Sequence, residues 1–483
     1  MPANSFRCSI ELPCPVRRAL TRLATLKSPH SHRTLICRGA GRRVVLAAKG
    51  DSVPVDSLPT QVVSLPAGRG AARCRALSRR IFALSLLLLT QVAGGCAPLE
   101  RQPAVPANLT EQATVLELPN ARFWPDTQGL ELIEEGRQAR ARQRAARGAA
   151  ADADRPLPPA NFLAVSGGGD NGAFAAGLLV GWTASGTRPG FNLVTGISTG
   201  ALIAPFAFLG PAYDPQLRAV YTTIGPRDVY EQRPLLKALF SESLFDTTPL
   251  FLLISRYVDA NLMAAIAEEY RKGRLLMIAT TDLDVGRPVI WNIGAIAASG
   301  RPEAEDLVHK ILLASAAMPG FFPPVLFDVE VGGRHYQEMH VDGGAVAQTF
   351  LYPPQIGILV NLREGRFARE RHAYIIRSGR LDPEWASVDR RLMSISSWAI
   401  ATMIHYSGYN DVLRIYSTTQ RDGVDYNLAY IGRDFTVEHK QDFDPVYMNA
   451  LFDYGYQRAV RGYPWRKAPP VLEEAQRRVA NLR

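Results

Sequence analysis

No thiol follows residue 96. Cys8, Cys14, Cys37, Cys74 and Cys96 are the only five cysteines, so a disulfide framework, a thiolate metal site and a cysteine nucleophile are excluded for the body of the chain. Excess charge of one sign is equally confined. Residues 1–80 hold 15 Lys/Arg against Glu11, Asp51 and Asp56, whereas the rest carries 40 basic and 42 acidic side chains. The formal charge of +10 therefore belongs to the N-terminal stretch, and the body has no basic surplus that would mark it for nucleic acid. Histidine is scarce in the body, being limited to His309, His335, His340, His372, His405 and His439. A long hydrophobic run is lacking as well. The apolar stretch from Ile81 to Val92 has about a dozen residues where roughly 20 are needed to cross a bilayer.

What that short run does resemble is a secretion signal. Arg73, Arg75, Arg79 and Arg80 precede it, and Ala93-Gly94-Gly95-Cys96 ends it, so residues 71–96 have a basic region, an apolar region and small residues before a cleavage point. Cys96 after small residues is similar to a lipobox cysteine, although Ala93 stands where Leu is commonest. The resemblance implies an outer-membrane lipoprotein of the bacterial cell envelope, facing the periplasm and tied to the membrane through its lipidated N-terminus; Ala97 after the cysteine suits that sorting. A cleaved signal peptide or an uncleaved anchor are the alternatives. Residues 1–70 are Arg-rich and patternless. A translation start assigned too early, or a disordered leader, accounts for them; an organellar transit peptide is the competing view.

A chain of 483 residues is long enough for one large domain or two ordinary ones. Residues 97–159 read as a Pro-rich tether or arm (97–125), a polar helix from Gln128 to Ala153, and a Pro-rich break. From 160 on, strand patterns (Asn161–Val165, Leu193–Thr195, Leu275–Thr280, Val289–Trp291, Ile356–Val360, Ala373–Ile376) alternate with helical ones (Ala173–Thr183, Ser198–Phe208, 388–416, 444–462). Such alternation predicts an α/β fold with a mostly parallel central sheet and helices on both faces. Residues 160–350 form the core in this reading, and 351–483 complete the same domain.

Three segments carry chemistry. Ser166-Gly167-Gly168-Gly169-Asp170-Asn171-Gly172 lies between a strand and a helix, where backbone N–H groups and the helix dipole favour an anion. It formally satisfies Gly-x-Gly-x-x-Gly, but no ribose-binding acid sits about 20 residues on, and no Gly-Lys-Ser/Thr makes it a Walker loop. Gly196-Ile197-Ser198-Thr199-Gly200 again joins a strand to a helix, as in a nucleophile elbow, in which Gly196 and Gly200 permit the sharp turn and the Thr199 N–H adds to an oxyanion hole. His340-Val341-Asp342-Gly343-Gly344 supplies Asp342, a base for a serine hydroxyl too weak to attack unaided.

Together, in this order, the three segments resemble the patatin-like phospholipase family, over about residues 160–350. Ala279-Thr-Thr-Asp282-Leu-Asp284-Val-Gly286-Arg-Pro288 and Ala314-Ser-Ala-Ala-Met-Pro319-Gly-Phe-Phe-Pro-Pro324 look like further family segments. The resemblance implies a three-layer sandwich and a serine acyl hydrolase acting on membrane phospholipid or lysophospholipid. It also implies a Ser198–Asp342 dyad and an oxyanion hole drawn from Gly167, Gly168, Gly169, Asn171, Gly172 and Thr199, with no cofactor. One departure stands out: the family's Arg or Lys before the last loop glycine is Asn171 here, preceded by Asp170.

Two rival readings follow from the residues. A Ser-His-Asp α/β-hydrolase would need His372, His405 or His439 as its base. A non-catalytic envelope scaffold would keep the fold and bind lipid. No metal is expected, since His335 and His340 lack ligand spacing and Asp282-x-Asp284-x-Gly286 has Ile293 at its twelfth position instead of Glu.

Overall fold

The computed structural model describes residues 37–39, 42–44, 100–147, 157–234, 241–357 and 369–480. The chain divides into two units, Met1–Leu86 and Leu87–Arg483. Of the first, only an antiparallel strand pair, Cys37–Gly39 with Arg42–Val44, is described. The expected signal sequence, residues 71–96 with Cys96, lies outside the described residues.

The second unit is built on a nine-stranded sheet. Its strands in chain order are β1 (Arg122–Phe123), β2 (Ala160–Val165), β3 (Leu193–Gly196), β4 (Leu275–Asp282), β5 (Arg287–Asn292), β6 (Val325–Val331), β7 (Arg334–Asp342), β8 (Arg371–Arg377) and β9 (Asp425–Tyr430). The order β4-β3-β2-β8-β9 is parallel throughout. Antiparallel strands flank this centre: β7 and β5 pair with β4, β6 with β7, and β1 with β5. The parallel strands are short apolar runs because both of their faces are covered. Alternate residues serve different layers. Leu163, Val165 and Ile376 join one large core with α2 (Gly172–Ala184), α3 (Thr199–Leu209), α4 (Ala304–Ser315) and α6 (Pro445–Val460). Ala164, Ala373 and Ile375 face the other way, onto the C-terminal half of α5 (Leu392–Asp422). The expected α/β sandwich with helices on both faces is what the chain forms.

Helix α2 is apolar all round, which is the pattern of a helix enclosed on every side, and it is buried from Gly172 to Trp182. The polar helix, α1 (Gly129–Ala145), is shorter than the predicted stretch; residues 148–156 lie outside the described ones. Its Glu135 is buried, accepting from Arg142 and Tyr270, so this helix is not merely a solvated face.

Three expectations change. Of the expected 97–125 tether, the described residues 100–125 are bound to the domain: Val105, Ala113, Val115, Ala121 and Trp124 enter the main core, and Arg122 forms a bidentate ion pair with Glu338. Its apolar residues are too widely spaced by prolines and polar groups to show a period. The proposed strand at Ile356–Val360 begins instead as helix, over residues 355–357; the remainder is outside the described residues. The β6–β7 hairpin escaped the periodicity reading because Asp328, Glu330, Gln337 and Glu338 interrupt its apolar pattern. Its turn was legible all the same, for Gly332-Gly333, at φ +57° and +74°, is the chemistry of a tight hairpin.

Candidate active site

Strand register brings the motifs together. β3 leaves the sheet at Gly196, level with Ile278 of β4. β7 arrives antiparallel on β4, and its last residue, Asp342, stands opposite Thr280, two residues further along. Ser198, two residues past Gly196, reaches the same height. Its hydroxyl lies close enough to the Asp342 carboxyl to pull that group's pKa down. The Gly loop leaves the adjacent strand β2 and passes close by: a Cβ on Gly167 would stand 3.2 Å from the Ser198 Cβ.

The turn at Ser198 is sharp. Its backbone sits at φ +54°, ψ −126°, a conformation that costs a non-glycine residue on the order of 1–3 kcal/mol and that occurs where function holds it. Neighbouring contacts hold it here. The Ser198 N–H donates to Ser315 Oγ at 3.0 Å, and that hydroxyl donates in turn to the Ala279 carbonyl at 2.8 Å. Gly200 lies so close to β2 that a Cβ would come within 2.2 Å of the Val165 carbonyl oxygen. The flanking glycine is therefore required by close approach as much as by the turn.

Asp342 is almost wholly enclosed. Burial pushes its carboxyl up to about 7, against the Ser198 hydroxyl and a hydrogen bond from the Gly344 N–H (2.6 Å), which pull the other way. A carboxyl poised near neutrality is suited to taking and returning a proton at physiological pH.

Only part of the expected oxyanion hole is free. The Gly167 N–H donates to the Gln348 carbonyl at 2.9 Å, Asn171 N–H to the Gly168 carbonyl at 3.1 Å, and Gly172 N–H to Asp170 and Gly169. Those three are committed to shaping the loop, which closes as a 3-10 turn over Gly169–Asn171, and they are withdrawn from the hole. The N–H groups of Gly168, Gly169 and Thr199 meet no acceptor among the described residues. Gly168 holds φ +156°, and a Cβ there would fall 2.0 Å from the Ser378 carbonyl oxygen.

Four residues not singled out from the sequence support this loop. Arg377, at the end of β8, is buried and donates to the Gly167 carbonyl (3.0 Å) and to Ser166 Oγ (3.3 Å). Burial pulls its guanidinium down to about 10, partly countered by Asp411, so it stays charged at neutral pH. Gln348 takes the Gly167 N–H, and its own N–H, with that of Thr349, is held by Asp411 of α5 (2.6 and 3.1 Å). Ser315 fixes the elbow. Of these, Arg377 had a readable signal, a lone cation closing the apolar strand Tyr374–Ile376, and Ser315 lies in the family-like segment Ala314–Pro324; Gln348 and Asp411 lie in unremarkable contexts.

The Asp170-Asn171 pair is engaged by the C-terminal part of the chain. Asp170 Oδ2 accepts from the Phe443 N–H (2.9 Å) and faces His439 Nε2 at 2.6 Å; Asn171 Oδ1 accepts from the Tyr447 hydroxyl at 2.6 Å. His439 is thus a partner of the loop, its imidazole raised above its ordinary value by the Asp170 hydrogen bond. His372 faces Asp425 and Glu370, His309 the Val258 carbonyl, and His340 Thr280 and Glu338; His405 packs on Tyr406. No histidine bonds Ser198 or Asp342 among the described residues.

The structure also groups Asp282, Glu338 and His340, whose potential ligand atoms lie within 4.8 Å of one another. Linear spacing gave no hint of this cluster, because β4 and β7 assemble it by pairing His340 with Asp282. The cluster already has internal partners. Arg122 neutralises Glu338, whose carboxyl is held down to about 2 with the help of the Arg122 charge despite its burial. Trp291 donates to Thr280 Oγ1, leaving that hydroxyl to donate to His340 Nδ1 and Nε2 to face Glu338. A cation added here would be repelled by Arg122.

Residues 163–353 match the family model described as patatin-like phospholipase. That segment runs from β2 to just past Asp342 and contains the loop, the elbow and the Asp-Gly-Gly turn. No curated protein matches the chain. Among solved structures, VipD from Legionella pneumophila is similar at 12% identity with a TM-score of 0.29, the likeness covering 63% of this chain and 66% of that one.

Proposed function

We propose that the protein is a serine lipid-acyl hydrolase that cleaves fatty-acyl esters of membrane phospholipids or lysophospholipids with a Ser198–Asp342 dyad. The observation that carries this reading is the buried Asp342 carboxyl, poised near neutrality and next to the hydroxyl of a serine on a strained elbow, beside three unengaged N–H groups. Asp342 takes the Ser198 proton as the hydroxyl oxygen attacks the ester carbonyl. The tetrahedral oxyanion is received by the N–H groups of Gly168, Gly169 and Thr199. Collapse expels the alcohol, which leaves with the proton from Asp342. Water, deprotonated by the same carboxylate, then releases the fatty acid and restores Ser198.

The loop lacks the family's cation at position 171, but Arg377 supplies one from beneath. The Gly167 carbonyl and the Gly168 N–H belong to one peptide unit. A guanidinium bonded to that carbonyl polarises the unit and makes the N–H a stronger donor. This weakens the case for a non-catalytic scaffold. The placement of His372, His405 and His439, none of which bonds Ser198 or Asp342 among the described residues, weakens the case for a triad.

Fluorophosphonate labelling tests the reading. Wild-type protein should be modified at Ser198 and Ser198→Ala should not; a wild type that resists the probe overturns the proposal. Mass spectrometry of products from mixed phospholipids and lysophospholipids would then give the head group and acyl position. Anchoring through Cys96 in the bacterial cell envelope belongs to the same proposal, and incorporation of labelled fatty acid that Cys96→Ser abolishes is its test.

A further inference from the structure

Helix α5 is two different things along its 31 residues. Its C-terminal half is a core element: Gly408, Asp411, Val412 and Ile415 are buried against the sheet. This half is also joined to the oxyanion loop. Asp411 holds the N–H groups of Gln348 and Thr349, and a Cβ on Gly408 would fall 2.6 Å from the Arg377 guanidinium carbon. The N-terminal half leaves the sheet. From Leu392 to Asn410 there is no Asp, Glu, Lys or Arg.

Apolar side chains in and before that half are open to solvent. Trp385 is 89% exposed, Leu392 79% and Met403 71%, with Val388, Met393, Ile395, Ile400 and Tyr406 also exposed. Large exposed apolar patches mark interaction sites. At about 100° per residue, the exposed large apolar residues from Leu392 to Tyr406 cover an arc of roughly 160°.

We propose that this arc, with the preceding Trp385–Arg391 segment, docks on an anionic lipid surface and carries the active site to it. Two features favour lipid over a second copy of the chain. A helix pair needs a narrower seam flanked by charges that set register and partner, and the nineteen residues from Leu392 to Asn410 contain none. Arg390 and Arg391, exposed at the edge of the apolar arc, make no ion pair among the described residues, and they would complement anionic headgroups where the arc meets water. No single helix among the described residues is long and apolar enough to cross a membrane, so α5 would lie in the interface. The docked half and the half bearing Asp411 are one continuous helix, so the lipid surface is set at a fixed distance from the oxyanion loop. Docking itself does not depend on the hydrolase reading; its effect on turnover does.

The test uses the full chain on vesicles of phosphatidylethanolamine and phosphatidylglycerol that contain a photoreactive phosphatidylglycerol. Adducts should map to residues 385–406. In Leu392→Asp/Met403→Asp they should fall at least roughly tenfold, since a carboxylate is strongly disfavoured in hydrocarbon. In Arg390→Gln/Arg391→Gln they should fall on anionic vesicles and not on vesicles of phosphatidylcholine carrying a photoreactive phosphatidylcholine. Hydrolysis of vesicle lipid should drop with the Asp pair while hydrolysis of a water-soluble short-chain ester is unchanged, which also shows that the variant is folded. Absence of wild-type adducts from 385–406, adducts unaffected by the Asp pair, or cross-linking of these residues to a second copy in place of lipid overturns the proposal. A chain that forms the adducts but hydrolyses neither substrate would instead overturn the hydrolase reading and leave docking standing.

Discussion

The guanidinium of Arg377 donates to the carbonyl of Gly167 at 3.0 Å, on the peptide unit whose N–H, that of Gly168, meets no acceptor among the described residues. In the proposed mechanism a cation would thus act on the reaction through one amide without touching substrate. Arg377→Met should lower kcat by about tenfold, ~1.4 kcal/mol of barrier, with little change in KM, because the donor is strengthened mainly against developing charge. Arg377→Lys should recover part of the loss. A residue that mattered only for packing would not be rescued by charge, and steady-state kinetics on a soluble ester separates the two.

The Asp342 carboxyl, raised by burial to about 7, gives two pH signatures. As the base it must be ionised, so kcat/KM should rise with pH and level off above a midpoint near 7. Its stability effect has the opposite direction. Between its ordinary value of 3.8 and about 7 the unfolded chain ionises and the folded one does not, so stability falls as pH rises through that window and the full cost is present above it. Asp342→Asn should therefore be inactive yet more stable than wild type at pH 8, by about a few kcal/mol, and melt higher there, with the gain vanishing near pH 4. Equal melting shifts at both pH values would contradict the assignment.

Ser315 Oγ is the acceptor for the Ser198 N–H. Ser315→Ala leaves that buried donor without a partner, at a cost of about 1–3 kcal/mol, and releases the constraint on a strained backbone. Lower thermal stability is expected together with slower fluorophosphonate labelling of Ser198. A variant that loses stability but labels at the wild-type rate would separate Ser315 from the elbow.

His439 and Asp170 tie residues 439–443 to the oxyanion loop. The imidazole is raised above its ordinary 6.5 by the Asp170 hydrogen bond, so its contribution is fully present below pH 6.5 and is lost as pH rises through its folded-state value. His439→Gln should increase hydrogen exchange in peptides covering 166–172 at pH 6 more than at pH 9. An equal increase at both would mean that the charge of the pair is not what holds the loop.

Much of this was legible in the chain itself. Four of the five parallel strands announced themselves because burial on both faces demands unbroken apolar runs; β9 did not, because Asp425 and Asn427 interrupt its run. Ser198 and Asp342 announced themselves because a turn that tight leaves room only for glycine beside them. The leader's charge and cysteines were likewise plain, although no described residue bears on its fate. What periodicity missed was polar by necessity: β7, whose face carries Glu338 and His340, and the packed segment around Arg122, which answers that charge.

The sequence by itself determined the order of the motifs, the residue types at the elbow, and the absence of a cation at position 171. It could not say which loop amides were free, because that depends on where the Gln348 carbonyl lands, nearly 200 residues downstream. Nor could it say that Arg377 would donate to the Gly167 carbonyl, or that Asp342 would be raised toward neutrality. Those are consequences of burial and of strand register. Hydrogen bonds and desolvation act between groups that only the tertiary structure brings within a few ångströms.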